Sequence, residues 1–369
     1  HEAFGELDVP LVSPNMHIPA AYSISATANG RYINNNMAGG YWTYMFGGAW
    51  WPTQDFGFSG NYARSVRNPS VTELFAPKSR VANMASDPCS QEDLANGPDP
   101  AIRQANCARE GIPSNFESNI VNYTVFGTDG GNAHLKNEVS TSYTGSAHFV
   151  PRFIPGLQLD ASFVDVKISN EITSLGISSI MAACYDSKSF PNAYCSLFTR
   201  DADHQVTSYQ EGYVNIAGQH MQALEAALNY NLPLRRLNKA WRDFGEFNLS
   251  VNYNHYVQNT TSYLGTSYQG YGGTGQPQDS FTANLNYVRG PLSLQWQTIY
   301  YGPSQFGVQA GEYAQNYNNR PDFAYFNATI GYRVTKNFDV NFMINNATNA
   351  IPQYAGTTSL GRYYDAMLG

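Results

Sequence analysis

The segment "FNLSVNYNHYV" alternates: Phe247, Leu249, Val251 and Tyr253 take every second position, and Asn248, Ser250, Asn252 and Asn254 fill the gaps. A period of two puts successive side chains on opposite faces of an extended strand, so the segment predicts a strand with one apolar and one uncharged polar face. The same period runs through "YSISATANGRY" (Tyr22, Ile24, Ala26, Ala28), "FTANLNY" (Phe281, Ala283, Leu285, Tyr287) and "FDVNFMIN" (Phe338, Val340, Phe342, Ile344). Counted this way the sequence predicts about twelve strands of roughly ten residues or more, longer than the five or six of globular sheets and matched to a tilted membrane-spanning strand. The predicted spans are 2–12, 21–34, 41–53, 56–67, 139–152, 157–172, 211–231, 244–257, 279–289, 291–302, 323–334 and 338–346.

The connections sort by length. Those at 52–55, 151–156, 288–291 and 334–337 are short, whereas 68–137, 173–210, 258–278 and 303–322 are long, and the two kinds alternate; about 34–40 and 232–243 are intermediate. A soluble sandwich has no reason to gather its long loops at one end. A transmembrane β-barrel does, with short turns on the periplasmic side and long loops outside.

Composition strengthens that choice. Only 13% of the 369 residues are charged, roughly half of the about 25% usual in a soluble domain. Aromatic residues make up 14% of the chain, and mean hydropathy is −0.39, with the polarity carried by Asn, Ser, Thr, Gln and Gly. Trp50, Trp51, Phe153, Tyr300 and Tyr301 lie near strand ends, where interfacial girdles are expected. Net charge is −7, and no Lys/Arg cluster suggests nucleic acid as a partner. No stretch reaches the 18 apolar residues of a membrane helix, and the chain opens at His1 with neither Met nor a signal segment, as expected of a mature or truncated piece.

Four cysteines fall as two close pairs in polar stretches, so disulfides are expected between Cys89 and Cys107 and between Cys184 and Cys195, against the alternative of reduced bystanders. In "TRDADHQV" Asp201, Asp203 and His204 allow a cation site, although solvated loop residues explain them better. No histidine spacing suggests a metal centre, Ser, His and Asp are too scattered for a triad, and nothing implies a cofactor, so no enzyme is expected. Tyrosines in 259–278 and 307–319 offer stacking surfaces for a sugar or an aromatic siderophore, although flexible extracellular loops rich in Tyr, Gly and Asn read the same way and explain them better.

"NYARSVRNPSVTELFAP" stands where the fourth predicted strand enters the first long connection. It resembles a barrel motif of the TonB-dependent outer-membrane receptor family, Arg-Ser-x-Arg, then Pro, then Glu-Leu-Phe, matched by Arg64, Ser65, Arg67, Pro69, Glu73, Leu74 and Phe75. Asn68 departs from the small residue more usual before the proline. "EAFGELDVPLV" (2–12), "RFIPGLQLDASFVDVKISNEI" (152–172), "GYVNIAGQHMQALEAALNYNLPL" (212–234) and "INNATNAIPQYAG" (344–356) resemble further family strands in the same order. The resemblance implies an all-β, antiparallel transmembrane barrel of about 22 strands, plugged at its lumen, of which residues 1–369 are part. Neither the plug nor the family's final strand after "GRYYDAMLG" is in the sequence, so a C-terminal portion of a longer receptor is expected.

The implied function is energised uptake of a scarce nutrient across a Gram-negative outer membrane, with membrane lipid, TonB acting through the plug and an unknown small molecule as partners. A passive porin and a structural or surface-binding barrel are the rival functions. Three apart on a strand, Arg64 and Arg67 face opposite sides unless the Asn68-Pro69 step turns the chain first. Arg64, Arg67 and Glu73 are expected to form an ion pair fixing the loop base, with steering of an anionic ligand as the alternative.

Overall fold

The computed structural model describes residues 1–35, 39–263, 266–273, 275–305 and 319–350. Twelve long strands follow one another: β1 (Glu2–Val12), β2 (Ser23–Asn35), β3 (Gly39–Trp51), β4 (Phe56–Arg67), β5 (Glu138–Phe149), β6 (Leu157–Leu175), β7 (Gly212–Pro233), β8 (Glu246–Tyr263), β9 (Asp279–Arg289), β10 (Leu292–Tyr301), β11 (Phe323–Thr335) and β12 (Phe338–Ile344). Each pairs with the next, giving an antiparallel up-and-down sheet, and a short strand at Thr266–Gln269 folds back onto β8. The sheet is a partial barrel.

The predicted strands are all present, and the largest difference is at β8, which ends at Tyr263 rather than at 257. Alternation stops there because both faces have become polar, yet the backbone ladder continues, with Met221 opposite Asn259 and His220 opposite Thr260. β6 and β7 have 19 and 22 residues. At about 3.3 Å per residue the longer spans roughly 70 Å, about twice what a tilted crossing needs.

Register turns the alternation of each strand into rows across the sheet. Leu157, Tyr230, Leu249, Leu285, Trp296, Ala328 and Ile344 stand opposite one another from β6 to β12. The adjacent row on the other face is Gln158, Asn229, Ser250, Asn284, Gln297 and Asn327. Its amides bond along the row, from Asn327 Nδ2 to Gln297 Oε1 (2.8 Å) and from Gln297 Nε2 to Asn284 Oδ1 (3.0 Å). The apolar face is uncovered: Phe46 is 55% exposed, Ile330 50% and Phe342 61%. Such a continuous patch is a liability in water and the contact surface in lipid. No helix among the described residues is long and apolar enough to cross a membrane.

Trp50 lies on the apolar face opposite Phe58, as expected of a girdle residue, and Tyr300 does likewise opposite Phe281. Trp51 and Tyr301 do not. They follow Trp50 and Tyr300 directly, so the pleat turns them to the polar face, where Trp51 stacks on His148 with ring centroids 5.9 Å apart. The short turns are braced by side chains: Arg152 Nε donates to Asp55 Oδ1 (2.8 Å), joining the turns after β3 and β5. Before β8, Gly245 has φ +84°, and a Cβ there would come within 2.0 Å of Val288 O, so no other residue fits.

The connections after β4 and β6 are folded rather than extended. They hold α1 (Val71–Phe75), α2 (Pro100–Arg109), α3 (Ile177–Tyr185) and a four-stranded sheet made of Ser79–Asn83, Val125–Asp129, Val206–Gln210 and Phe198–Arg200. Asp99 starts α2 by accepting from Ala101 N and Ile102 N, with Pro100 in the first turn. Ile120, Ile180, Met181, Cys184 and Tyr185 are essentially inaccessible and form the core of this loop module.

Candidate functional site

At the foot of the module Pro69, which has no N–H to give to a ladder, follows the end of β4. Ser70 then caps α1: its Oγ accepts from Glu73 N (3.2 Å), and Glu73 Oε2 accepts from Ser70 N (2.6 Å). Arg67 points to the polar face, where Nη2 reaches Glu138 Oε1 at 2.6 Å and Glu73 Oε1 at 3.2 Å. Glu138 also accepts from Ile172 N (2.8 Å). One guanidinium therefore ties the end of β4, α1, the start of β5 and the upper part of β6. Leu74 is buried beneath α1, while Phe75 is half exposed.

Arg64 takes no part in this junction. It lies on the opposite face and donates through Nη1 to Trp42 O. The expected ion pair therefore forms with Arg67 alone, and it recruits Glu138, which sequence reasoning missed. The pairing of Arg67 with Glu138 spans 71 residues and is set by register rather than by local spacing.

Burial pushes the Glu73 carboxyl up, but the Ser70 N–H and Arg67 outweigh it and hold the group below its ordinary value. A depressed folded-state pKa adds stability above the unfolded value of about 4.3 and loses it as pH falls through the folded value. Acidification below about pH 4 is therefore expected to loosen α1 from the sheet. In Glu73→Gln, hydrogen exchange of 70–76 should be faster at neutral pH and show less of this acid dependence. An unchanged profile would remove Glu73 from the junction.

Two disulfides and two buried ion pairs hold the module. Cys89 joins Cys107 and Cys184 joins Cys195, the pairing expected from the sequence. Arg200 donates to Asp87 through Nη1 to Oδ2 and Nη2 to Oδ1, each at 2.8 Å, with Asp87 fully buried. It also donates to Tyr185 Oη (3.0 Å) and His204 O (2.8 Å). Burial pushes the Tyr185 hydroxyl above its ordinary value. Arg103 pairs with Asp186, Nη2 to Oδ2 being 2.6 Å.

Between α1, the upper ends of β6 and β7, and α3 lies a cavity of about 490 Å³. Leu74, Leu175, Ile180 and Val214 give it an apolar wall, and Lys78 and His134 bring cationic or titratable groups to its lining. A half-apolar recess with a few polar groups is the usual form of a small-molecule site.

The remaining candidates disperse. Asp201 Oδ1 accepts from Asp203 N (3.0 Å) and Gln205 N (2.9 Å), a closed local turn, while the His204 ring stands edge-on to Phe116. Among the described residues no group of three acidic, His or Cys side chains could hold a metal ion. Of the loop tyrosines, Tyr271 donates to Val257 O (3.3 Å). Tyr313, Tyr317 and the end "GRYYDAMLG" lie outside the described residues.

One constellation was invisible in sequence. On the polar face Ser59 Oγ meets His148 Nε2 at 2.9 Å, His148 Nδ1 meets Asp160 Oδ1 at 2.7 Å, and Gln158 Nε2 donates to Asp160 Oδ2 at 2.9 Å. The order matches a hydrolase relay. All three residues sit in strands paired on both sides, so the backbone N–H groups beside them belong to ladders. The network ties β4, β5 and β6 together on the wet face.

A partial barrel with one lipid-facing side, one hydrogen-bonded polar side and folded connections at one end defines an outer-membrane type of β-barrel. Residues 3–347 match the family model described as TonB dependent receptor-like, beta-barrel, and the chain belongs to that family. Members of that family are transporters rather than enzymes. No curated protein matches the sequence.

Among solved structures the fold is similar to the ferric enterobactin receptor PfeA of Pseudomonas aeruginosa, determined as a mutant with enterobactin. That match has 14% identity and TM-score 0.59, and covers 94% of this chain and 39% of that one. The siderophore receptor PirA of Acinetobacter baumannii is similar at 12% identity and TM-score 0.52, with 91% of this chain and 40% of that one covered. The chain thus spans about two fifths of the length of these receptors.

Proposed function

We propose that the chain is the barrel portion of a Gram-negative outer-membrane receptor that takes up a scarce nutrient in an energised, TonB-dependent cycle. The observation that carries this reading is the family match over residues 3–347. In this reading connections 68–137, 173–210, 258–278 and 303–322 face the cell exterior, and the short turns face the periplasm. Two disulfides in the loop module suit a location outside the reducing cytoplasm, on either side of an outer membrane. Arg67, Pro69, Glu73 and Phe75 set the loop base and do not contact ligand, while the neighbouring 490 Å³ cavity takes part in capture. A plug packs on the polar face, where the Ser59, His148 and Asp160 network supplies hydrogen-bonding groups, and TonB acts through it.

Ferric siderophores are the first ligand class to test, because PirA is named as a siderophore receptor and PfeA as a ferric enterobactin receptor. Vitamins and oligosaccharides follow. The test measures radiolabelled ferric-siderophore uptake in cells carrying or lacking the intact receptor, with and without TonB. Saturable uptake that needs both supports the proposal. Ion conductance of the purified protein in a planar bilayer, with no TonB-dependent uptake, would make it a porin, and a stable envelope partner with no uptake defect would make it a surface-binding barrel.

A further inference from the structure

The dipeptide Asn-Gly occurs twice, at Asn29-Gly30 and at Asn96-Gly97, and the fold treats the two differently. An asparagine before glycine can close on itself, because the next main-chain nitrogen lies within reach of the side-chain carbonyl carbon and glycine has no Cβ in the way. The closure needs a free N–H and a chain able to bend. Asn29 and Gly30 have neither. They stand inside β2, with Glu6 and Gly5 opposite on β1 and Met45 and Tyr44 opposite on β3, so the Gly30 N–H belongs to a ladder and the backbone is held extended.

Asn96-Gly97 lies in the first folded connection, between Cys89 and the Asp99 cap of α2. Asn96 is exposed, and the Gly97 N–H makes no hydrogen bond among the described residues. The Asn96 amide closes a turn: Nδ2 donates to Glu92 O (2.9 Å) and to Asp93 Oδ1 (3.5 Å). Gly97 packs on the Arg103 guanidinium, where a Cβ would come within 2.7 Å of Nε. The same guanidinium donates through Nη1 to Asp93 O (2.7 Å) and through Nη2 to Asp186 (2.6 Å), joining this turn to the end of α3.

We propose that Asn96 is a site of spontaneous main-chain modification, in which the Gly97 nitrogen displaces ammonia from the side-chain amide. The bond from Gly97 N to Asn96 Cγ forms, the Cγ–Nδ2 bond breaks, and the Gly97 proton leaves with the ammonia, giving a cyclic succinimide. Water then opens the ring. Addition at Cγ restores the normal backbone and leaves aspartate, whereas addition at the main-chain carbonyl leaves isoaspartate, with an added methylene in the main chain.

Either product adds a negative charge to a net −7 and replaces a donor by a carboxylate that faces Glu92 O and Asp93. The turn loses its closing bonds and gains like-charge repulsion, and isoaspartate also shifts Gly97 on Arg103. The reaction therefore loosens the seam between α2 and α3, slowly and in one direction. It does not depend on the nutrient carried.

To test this, intact receptor purified from outer membranes is aged in neutral and in mildly alkaline buffer made with oxygen-labelled water, and its peptides are mapped. The Asn96 peptide should gain label and be recovered as aspartate and isoaspartate together, faster in the alkaline buffer, while the Asn29 peptide keeps its amide. Asn96→Gln should keep its amide too. Equal conversion at Asn29 and Asn96 would show that the fold does not select the site, and no conversion at Asn96, or aspartate without isoaspartate, would remove the cyclic route; each result overturns the proposal. Asn96→Asp should speed hydrogen exchange of 90–103 roughly tenfold, with Asn96→Gln closer to the wild type. Unchanged exchange in Asn96→Asp would overturn the loosening of the seam.

Discussion

Arg200→Ala should unfold the loop module and leave the barrel standing. The substitution strands Asp87, which is fully buried, with only Ser118 Oγ (2.6 Å) and Cys89 N (3.0 Å) as donors to its side chain among the described residues. Removing one partner of a buried pair costs about 3–5 kcal/mol, because the other charge stays in a low-dielectric site. Tyr185 loses a donor at the same time, and the guanidinium no longer lies between the rings of Phe116, Tyr185 and Phe198.

Hydrogen exchange should speed up across 84–121 and 176–210, while β8 to β11 keep their protection and the protein keeps its heat-modifiable mobility. Removing both charges, in Asp87→Ala/Arg200→Ala, should restore part of the loss, since no unpaired charge is then left behind. If barrel and module lose protection together in the single variant, the module is not an independent cooperative unit. A local response would instead make it a foldon seated on the sheet.

How the sequence revealed the barrel and hid this module follows from the physics of each. A strand crossing between lipid and a wet face must alternate, and the signal is local: Phe247, Leu249, Val251 and Tyr253 reveal it within one segment. The Arg200 to Asp87 pair spans 113 residues, and the core of Ile120, Ile180 and Tyr185 comes from two connections separated by β5 and β6. Neither has a period. The disulfides were legible only because each closes a short loop, of 18 and 11 residues.

Trp51 and Tyr301 show the limit of composition as a guide. Aromatics near a strand end suggested a girdle, but parity decides the face, and each sits one residue past the position that lipid contacts. The candidate site was legible only in its local half. Pro69 and Glu73, singled out by the motif, act on near neighbours, whereas the Ser70 cap, although equally local, was not read from the sequence. Glu138 and the Ser59, His148 and Asp160 network needed the register of β4, β5 and β6 before they met.

Parity also sets the second large effect, which distinguishes the two faces by a single step along β9. Leu285 is 42% exposed and lies between Phe281 and Tyr287 on the lipid row, opposite Leu249 and Trp296. Leu285→Arg puts a guanidinium near the middle of the apolar belt, where it should cost about 2–4 kcal/mol. Asn284→Arg, one residue earlier, places the same charge on the polar face among Ser250 and Gln297, where the hydration of a wet lumen keeps the penalty small. Folding into lipid vesicles, followed in urea with both variants, reads the difference directly. A loss confined to Leu285→Arg fixes which face meets hydrocarbon. Equal losses would mean that both faces of β9 are packed against apolar groups, and a loss confined to Asn284→Arg would turn the sheet inside out, moving Arg64 to the lumen and Arg67 to the lipid.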